Sequence, residues 1–230
     1  MSIYRTNFDA AFPAPLGAGD SRRGVLSGDS PAYRIVKRAL DITVSATALT
    51  VLAPVYAAIA VAVALDSRGS IFYRQERVGK DGRRFAFYKF RSMVVDADRI
   101  KADLSVDNEA QGPIFKMKSD PRVTRVGRFL RRTSLDEIPQ FWNVLRGDLS
   151  LVGPRPHLPS EVEKYSEVAE MRLTVVPGLV CYREVGGRSK LTFDQWVALD
   201  LEYVRTRSLR TDLSILLRAV PAILFGEGAY

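Results

Sequence analysis

Two adjacent carboxylates, Asp136 and Glu137, close a run in which five arginines, Arg122, Arg125, Arg128, Arg131 and Arg132, occur within eleven residues. Groups of this kind act on phosphorylated substrates. Neighbouring helical side chains diverge by about 100°, so the pair cannot form one symmetric dyad, but one carboxylate can attack while the other holds a metal. A helix starting here would add unpaired N–H groups for a phosphate, and arginines bind phosphoryl oxygens bidentately. The same residues also read as a capping box, with Ser134 as N-cap and Glu137 as its reciprocal partner, followed by a helix that buries Phe141, Trp142 and Leu145 and closes at Gly147. Spacing alone leaves both readings open. Pro139 does not suit a regular helix from Ser134 and is read as a bend that aims the carboxylates. Downstream, Arg155 stands between Pro154 and Pro156, either a stiff anion contact with little freedom to lose on binding or a solvated surface turn.

The remaining composition narrows the chemistry. A single cysteine, Cys181, excludes an internal disulfide, and no Cys/His spacing of a structural zinc site occurs. A Ser-His-Asp hydrolase would have to run through the lone His157, so oxygen ligands and a hard cation are the expected chemistry. Thirty-four Lys and Arg against 26 Asp and Glu, a net charge of +8, point to a polyanionic partner: nucleic acid, anionic lipid or a phosphorylated substrate. No G-x-G-x-x-G or Walker A sequence is present, so any nucleotide is held in another way.

The elements that must position these groups begin after an arm. Residues 1–31, rich in Ala, Gly, Ser, Asp and Pro, are expected to be flexible. Ile42 to Leu65 follows, twenty-four residues without a charge. As a straight helix it would be about 36 Å long against a hydrocarbon core of about 30 Å. Pro54 interrupts it, and its flanks are basic on both sides: Arg34, Lys37 and Arg38 before, Arg68, Arg74 and Arg77 after. Cytoplasmic flanks attract Lys and Arg, so a re-entrant helix with both ends on one face is expected, ahead of a span or a buried core helix. A hairpin follows, 71–78 and 83–91 around an Asp-Gly turn, with Phe85, Phe87, Lys89 and Arg91 on one face. Without an RNP-like motif, it is not read as a nucleic-acid site. Residues 94–109 read as a polar helix or lid. Segments 194–207 and 211–225 read as helices, the second suited to a lipid interface or to ordinary core packing.

Together these segments resemble the bacterial sugar transferase family, the monotopic polyprenyl-phosphate phosphoglycosyl transferases, over roughly residues 34–230. The carriers are Lys37-Arg38-Ala39-Leu40-Asp41, the apolar segment broken at Pro54, Tyr88-Lys89-Phe90-Arg91-Ser92-Met93, the Asp120–Asp148 block, Leu151–Pro156, Pro177-Gly178, Gly187-Arg188 and Asp200-Leu201-Glu202-Tyr203-Val204. The resemblance implies an α+β, mainly helical enzyme: an arm (1–31), a re-entrant membrane helix (32–66) and a cytosolic catalytic domain (67–230) with a small β-hairpin and interfacial helices. It implies transfer of a sugar 1-phosphate from a UDP-sugar to polyprenyl (undecaprenyl) phosphate with release of UMP, an initiating step of exopolysaccharide or other glycoconjugate synthesis. Asp136 would be the nucleophile, through an aspartyl phosphosugar, and Glu137 a ligand of Mg2+. Lys89, Arg91 and Arg155 are the expected phosphate contacts, Arg188 the nucleotide contact, and Asp41 an ion-pair partner fixing the membrane helix. The expected partners are UDP-sugar, polyprenyl phosphate and the bilayer of the bacterial inner membrane, with the catalytic domain facing the cytoplasm, and not nucleic acid; a homo-oligomer stays open. One stretch departs: relatives read I-T-G-L-W-Q-V after the Pro-Gly, where this chain has Leu179-Val180-Cys181-Tyr182-Arg183-Glu184-Val185, which leaves that loop's nucleotide or sugar contacts open. The alternative from another class is a non-catalytic membrane adaptor that docks anionic lipid or a partner enzyme.

Overall fold

The computed structural model describes residues 30–97, 99–100, 117, 119–185 and 192–225. Residues 1–29 of the expected arm, and most of the segment 94–109, lie outside them. The described chain is mostly helical with two small two-stranded sheets, which agrees with the expected α+β class.

The apolar run is two helices, α1 (Pro31–Val51) and α2 (Ala53–Asp66), bent by 62°. Ser30 caps α1 by accepting from the Tyr33 N–H at 3.1 Å. The break falls at Leu52, which places Pro54 in the first turn of α2, where its missing N–H has no intrahelical partner to lose. Among the described residues no single helix is long and apolar enough to cross a membrane, while the bent pair passes that test jointly by length and composition. Val44, Val51, Val61 and Leu65 are exposed.

Both arms of the bent pair are anchored to the rest of the molecule. On α1, Arg38 donates to the Val144 and Leu145 carbonyls, both at 2.6 Å. Lys37 binds Asp212 at 2.8 Å and the Val152 carbonyl at 3.0 Å. Asp41 is buried and accepts from Ser150 Oγ at 3.1 Å and Leu151 N at 3.0 Å. It therefore fixes the helix as expected, but by receiving a strand's polar groups rather than by an ion pair. On α2, Ile59 and Val63 enter a core cluster with Phe90, Leu130 and Ile138.

The hairpin is β1 (Phe72–Val78) and β2 (Arg84–Phe90), antiparallel, with Phe72 opposite Phe90 and Val78 opposite Arg84. Its turn carries Asp81 and Gly82 at φ of 55° and 78°, conformations that favour the Asp-Gly pair. Phe85 and Phe87 face one core with Val144, Leu149, Leu151 and Tyr203, while Phe90 faces the other. The face with Phe85 and Phe87 is thus the packed one, while Arg74, Glu76 and Arg84 on the other stay exposed. Helix α3 (Arg125–Thr133), a tight turn at Leu135–Glu137 and helix α4 (Gln140–Arg146) follow. Strand β3 (Ser150–Val152) pairs in parallel with β4 (Gly178–Val180). A Cβ on Gly178 would lie 2.1 Å from the Gly153 backbone N, so the Gly-Pro and Pro-Gly segments can meet only as glycines. Helices α5 (Phe193–Thr206) and α6 (Leu209–Phe225) complete the fold. In α6, Ile215 and Ala219 are buried, which is the expected core packing, while Leu213 and Leu217 are exposed.

Candidate active site

The adjacent carboxylates do not open a regular helix. Helix α3 runs through the arginine block to Thr133 and ends at Ser134, which adopts φ 57°, the left-handed conformation of a helix C-terminus, and makes no side-chain cap. The capping-box reading is corrected here. Asp136 and Glu137 lie on the turn Leu135–Glu137, and α4 begins only after Pro139, whose ring needs the chain free of an i−4 carbonyl. Leu135 and Ile138 pin this turn into the same core as α2 and Phe90. Apolar side chains on either side thus fix two charged ones.

Asp136 is 6% exposed, with Lys89 Nζ 3.7 Å from Oδ2. Glu137 Oε1 accepts from Lys89 Nζ at 2.6 Å and from Arg155 Nη2 at 2.8 Å. The sequence-predicted residues Lys89, Asp136, Glu137 and Arg155, separated by up to 66 positions, therefore meet. Burial pushes the Asp136 carboxyl above the ordinary carboxylate range, against the pull of Lys89. Burial works against Glu137 as well, but Arg155 and Lys89 outweigh it and hold that carboxyl well below the ordinary range. Two neighbouring carboxylates thus differ in character: one is desolvated, the other a fixed anion.

Arg155 is held by its backbone as well as by Glu137. Arg172 Nη2 reaches the Arg155 carbonyl at 3.5 Å, and Arg77 Nη1 donates to the Pro156 carbonyl at 3.2 Å. Val78 N donates to the His157 carbonyl at 3.0 Å, and Leu158 N donates to Glu161 Oε2 at 2.9 Å. Four successive residues, 155–158, are each tied to a partner. Arg172 is itself buried in an ion pair with Asp200 and approaches His157 Nε2 at 3.2 Å. Since a guanidinium only donates, Nε2 accepts and the imidazole proton sits on Nδ1. Burial, then Arg172 and Arg77, hold His157 well below the ordinary imidazole range.

Asp136 opens on a cleft of about 490 Å³, lined also by Lys89, Arg131 and Arg155 with Arg77, Arg122, Arg183 and Trp196. Buried donors without a hydrogen-bond partner include Arg77 Nε, Arg91 Nε, Arg131 Nη1, His157 Nδ1 and Trp196 Nε1, all on residues of this cleft. Such a wall is rich in donors and poor in acceptors, which suits a ligand made of phosphoryl and carbonyl oxygens.

Arg91, expected at a phosphate, is employed elsewhere. It is 7% exposed, and its guanidinium donates to the Ser67 carbonyl at 2.6 Å and the Arg68 carbonyl at 2.9 Å, closing the C-terminal end of α2. Strand alternation put it beside Lys89, but the chain has left the strand by then. Arg188 lies outside the described residues. Three residues were missed. Arg131 was not singled out among five arginines, although its i,i+4 spacing from Gly127 marks its face: a Cβ on Gly127 would stand 2.0 Å from the Ser92 carbonyl oxygen. Asn143, fully buried, accepts from Tyr88 N at 3.2 Å and donates to the Ala86 carbonyl at 2.6 Å, docking α4 on β2. Arg172 carried no local signal, since its partners lie 7 to 28 positions away.

Among the described residues no group of three or more Asp, Glu, His or Cys is gathered to hold a metal. A magnesium ion needs less from the protein, typically one or two carboxylates with substrate phosphates and water completing the octahedron. Glu137 offers one such carboxylate, held in place by the bonds that Lys89 and Arg155 donate to its Oε1.

The comparisons with known proteins agree with this arrangement. The family model described as "Bacterial sugar transferase" matches residues 32–226. Galactosyl transferase CpsE of Streptococcus agalactiae is 44% identical over 199 residues, covering 86% of this chain and 44% of that protein. UDP-glucose:undecaprenyl-phosphate glucose-1-phosphate transferase of Escherichia coli is 39% identical over 210 residues, 87% of this chain and 43% of that protein. The exopolysaccharide production protein ExoY of Sinorhizobium fredii is 38% identical over 204 residues, 87% of this chain and 90% of that one. The chain thus spans less than half the length of several curated relatives and nearly all of another. With the match running from the first turn of α1 to the end of α6, the chain belongs to the bacterial sugar transferase family.

Proposed function

We propose that the chain transfers a sugar 1-phosphate from a UDP-sugar to polyprenyl (undecaprenyl) phosphate, releasing UMP, as the first step of exopolysaccharide or related glycoconjugate synthesis. The observation that carries this reading is Asp136, buried at a donor-rich cleft with Lys89 at 3.7 Å and a neighbour, Glu137, already neutralised by two cations. The names of relatives as undecaprenyl-phosphate galactose and glucose transferases support the donor and acceptor classes.

Asp136 Oδ attacks the phosphorus that bears the sugar. The bond from that phosphorus to the bridging oxygen of the diphosphate breaks, and UMP departs with that oxygen. An oxygen of the prenyl phosphate then attacks the same phosphorus and breaks its bond to Asp136, which regenerates the carboxylate and yields the prenyl diphosphate sugar. Neither step needs a strong base, in keeping with a chain whose one histidine is buried and neutral. Lys89 and Arg155 set the position of Glu137, and Arg131 offers a buried donor to the phosphoryl oxygens. Glu137 would hold Mg2+, and the ion, when bound, would supply neutralisation of the diphosphate charge. A desolvated attacking carboxylate between fixed cations is the positioning and electrostatics that phosphoryl transfer requires.

The bent pair α1 and α2 supports a re-entrant membrane element, inserted at the hinge around Leu52 with both arms returning to the same catalytic body. The exposed Leu213 and Leu217 of α6 support an interfacial helix beside it. In this reading the enzyme sits on the cytoplasmic face of the bacterial inner membrane.

Asp136→Asn is expected to lower UMP release from a UDP-sugar and undecaprenyl phosphate by at least about a thousandfold. Retained turnover would remove Asp136 from the nucleophile role. The adaptor alternative predicts no UMP from the unmodified chain.

A further inference from the structure

The cleft contains two side chains that the phosphoryl chemistry leaves unused. Arg183 projects from the helical turn Tyr182–Val185 directly after β4, and Trp196 from the first turn of α5. The Arg183 guanidinium carbon lies 4.4 Å from the centroid of the Trp196 ring. At that distance the guanidinium rests against the indole, and both side chains line the cleft. A guanidinium beside an indole offers a planar π system a surface to stack on, since nucleobases stack on arginine planes as well as on aromatic rings.

The backbone relates this platform to the phosphate end of the cleft. Gly153 N donates to the Val180 carbonyl at 3.0 Å and Gly178 N to the Pro154 carbonyl at 2.9 Å, immediately before Arg155 on one strand and three residues before Arg183 on the other. The β3–β4 pair therefore ties the segment that carries Arg155 to the segment that carries Arg183, and both side chains line the same cleft. A hexose has no π face to place on a guanidinium, and the phosphates are met by Lys89, Arg131 and Arg155. Trp196 Nε1–H, buried and unpartnered, leaves a neutral donor in the same wall, suited to a base carbonyl.

We infer that Arg183, supported by Trp196, is the platform on which the base of the sugar nucleotide stacks; this rests on the transferase reading above for the identity of the ligand. Neither residue acts on the reacting atoms, so their loss costs affinity for the base-bearing end.

The test is direct binding of UDP and of inorganic pyrophosphate to the full chain in detergent micelles, measured by calorimetry and thus independent of turnover. The two probes share the diphosphate and differ in the nucleoside. The unmodified chain is expected to bind UDP at least about tenfold more tightly than pyrophosphate. Arg183→Lys, which keeps the charge and loses the plane, is expected to weaken UDP about 5- to 100-fold while pyrophosphate changes less than about twofold. Trp196→Leu, which removes the support, shifts the ratio in the same direction. Equal binding of the two probes by the unmodified chain, or variants that lose or keep both together, would overturn the platform. UDP binding with the expected ratio but no UMP release from any sugar nucleotide would instead overturn the transferase reading and leave the platform standing.

Discussion

Lys89 and Arg91 look alike in sequence, two cations one residue apart at the end of a strand, yet they do different work. Lys89 bridges the carboxylates, while Arg91 closes the end of α2. Arg91→Ala is therefore expected to lower stability by about 2–3 kcal/mol, from lost charged hydrogen bonds to carbonyls, with the KM for sugar nucleotide within about twofold in the protein that still folds. Denaturant unfolding and steady-state kinetics separate the outcomes: a large rise in KM at unchanged stability would return Arg91 to the phosphate. Asp136, Glu137 and Arg155 stood out by local charge density and stiffness, but spacing left a structural reading open beside the functional one, and their roles came from the family resemblance. Arg131 was less so. Five arginines in one block are equivalent until burial selects one, and only the close approach of Gly127 to Ser92 shows which face of α3 turns inward.

At the level of elements, the hairpin was readable because its Asp-Gly turn and alternating aromatics are local signals. The turn at Leu135–Glu137 was misread because its controls lie outside the four residues of the capping pattern. Thr124, accepting from Gly127 N at 3.0 Å, starts α3 far enough upstream that Ser134 is an end rather than a beginning. The pinning of segment 155–158 was invisible for a related reason: its partners come from β1, Glu161 and Arg172. Here His157 leads to a prediction. The folded protein keeps it neutral, whereas the unfolded chain takes up a proton below about pH 6.5. Stability is therefore full above that pH and falls as pH drops, by up to about 1.4 kcal/mol per unit from this group. Urea unfolding at pH 7.5 and 5.5 should show that loss, and His157→Gln should reduce it by about the same amount. An unchanged pH dependence in the variant would mean that His157 is charged in the fold.

Across the whole molecule the net charge of +8 divides into separate tasks. Lys37 and Arg38 clamp α1 onto the body, Arg91 and Arg172 are buried in the scaffold, and Lys89, Arg131 and Arg155 surround the carboxylates. Because α1 and α2 both dock on one body, Ser30 and Ser70 are expected on the same side of a membrane. With Cys181 replaced by Ala, cysteines at these two positions should react with an impermeant maleimide from the same face of sealed vesicles, and labelling from opposite faces would mean a span. The α2 helix also packs beneath the turn that holds Asp136 and Glu137, through Ile59, Val63, Leu135 and Ile138, so the bent helix pair and the carboxylate turn share a core. The most direct measurement is covalent capture on the full chain, given a UDP-hexose radiolabelled in the sugar and no prenyl acceptor. Label should remain on the denatured protein in the peptide containing Asp136, leave when undecaprenyl phosphate is added before denaturation, and be absent from Asp136→Asn. UMP release without any label on that peptide would contradict a covalent aspartyl phosphosugar at Asp136.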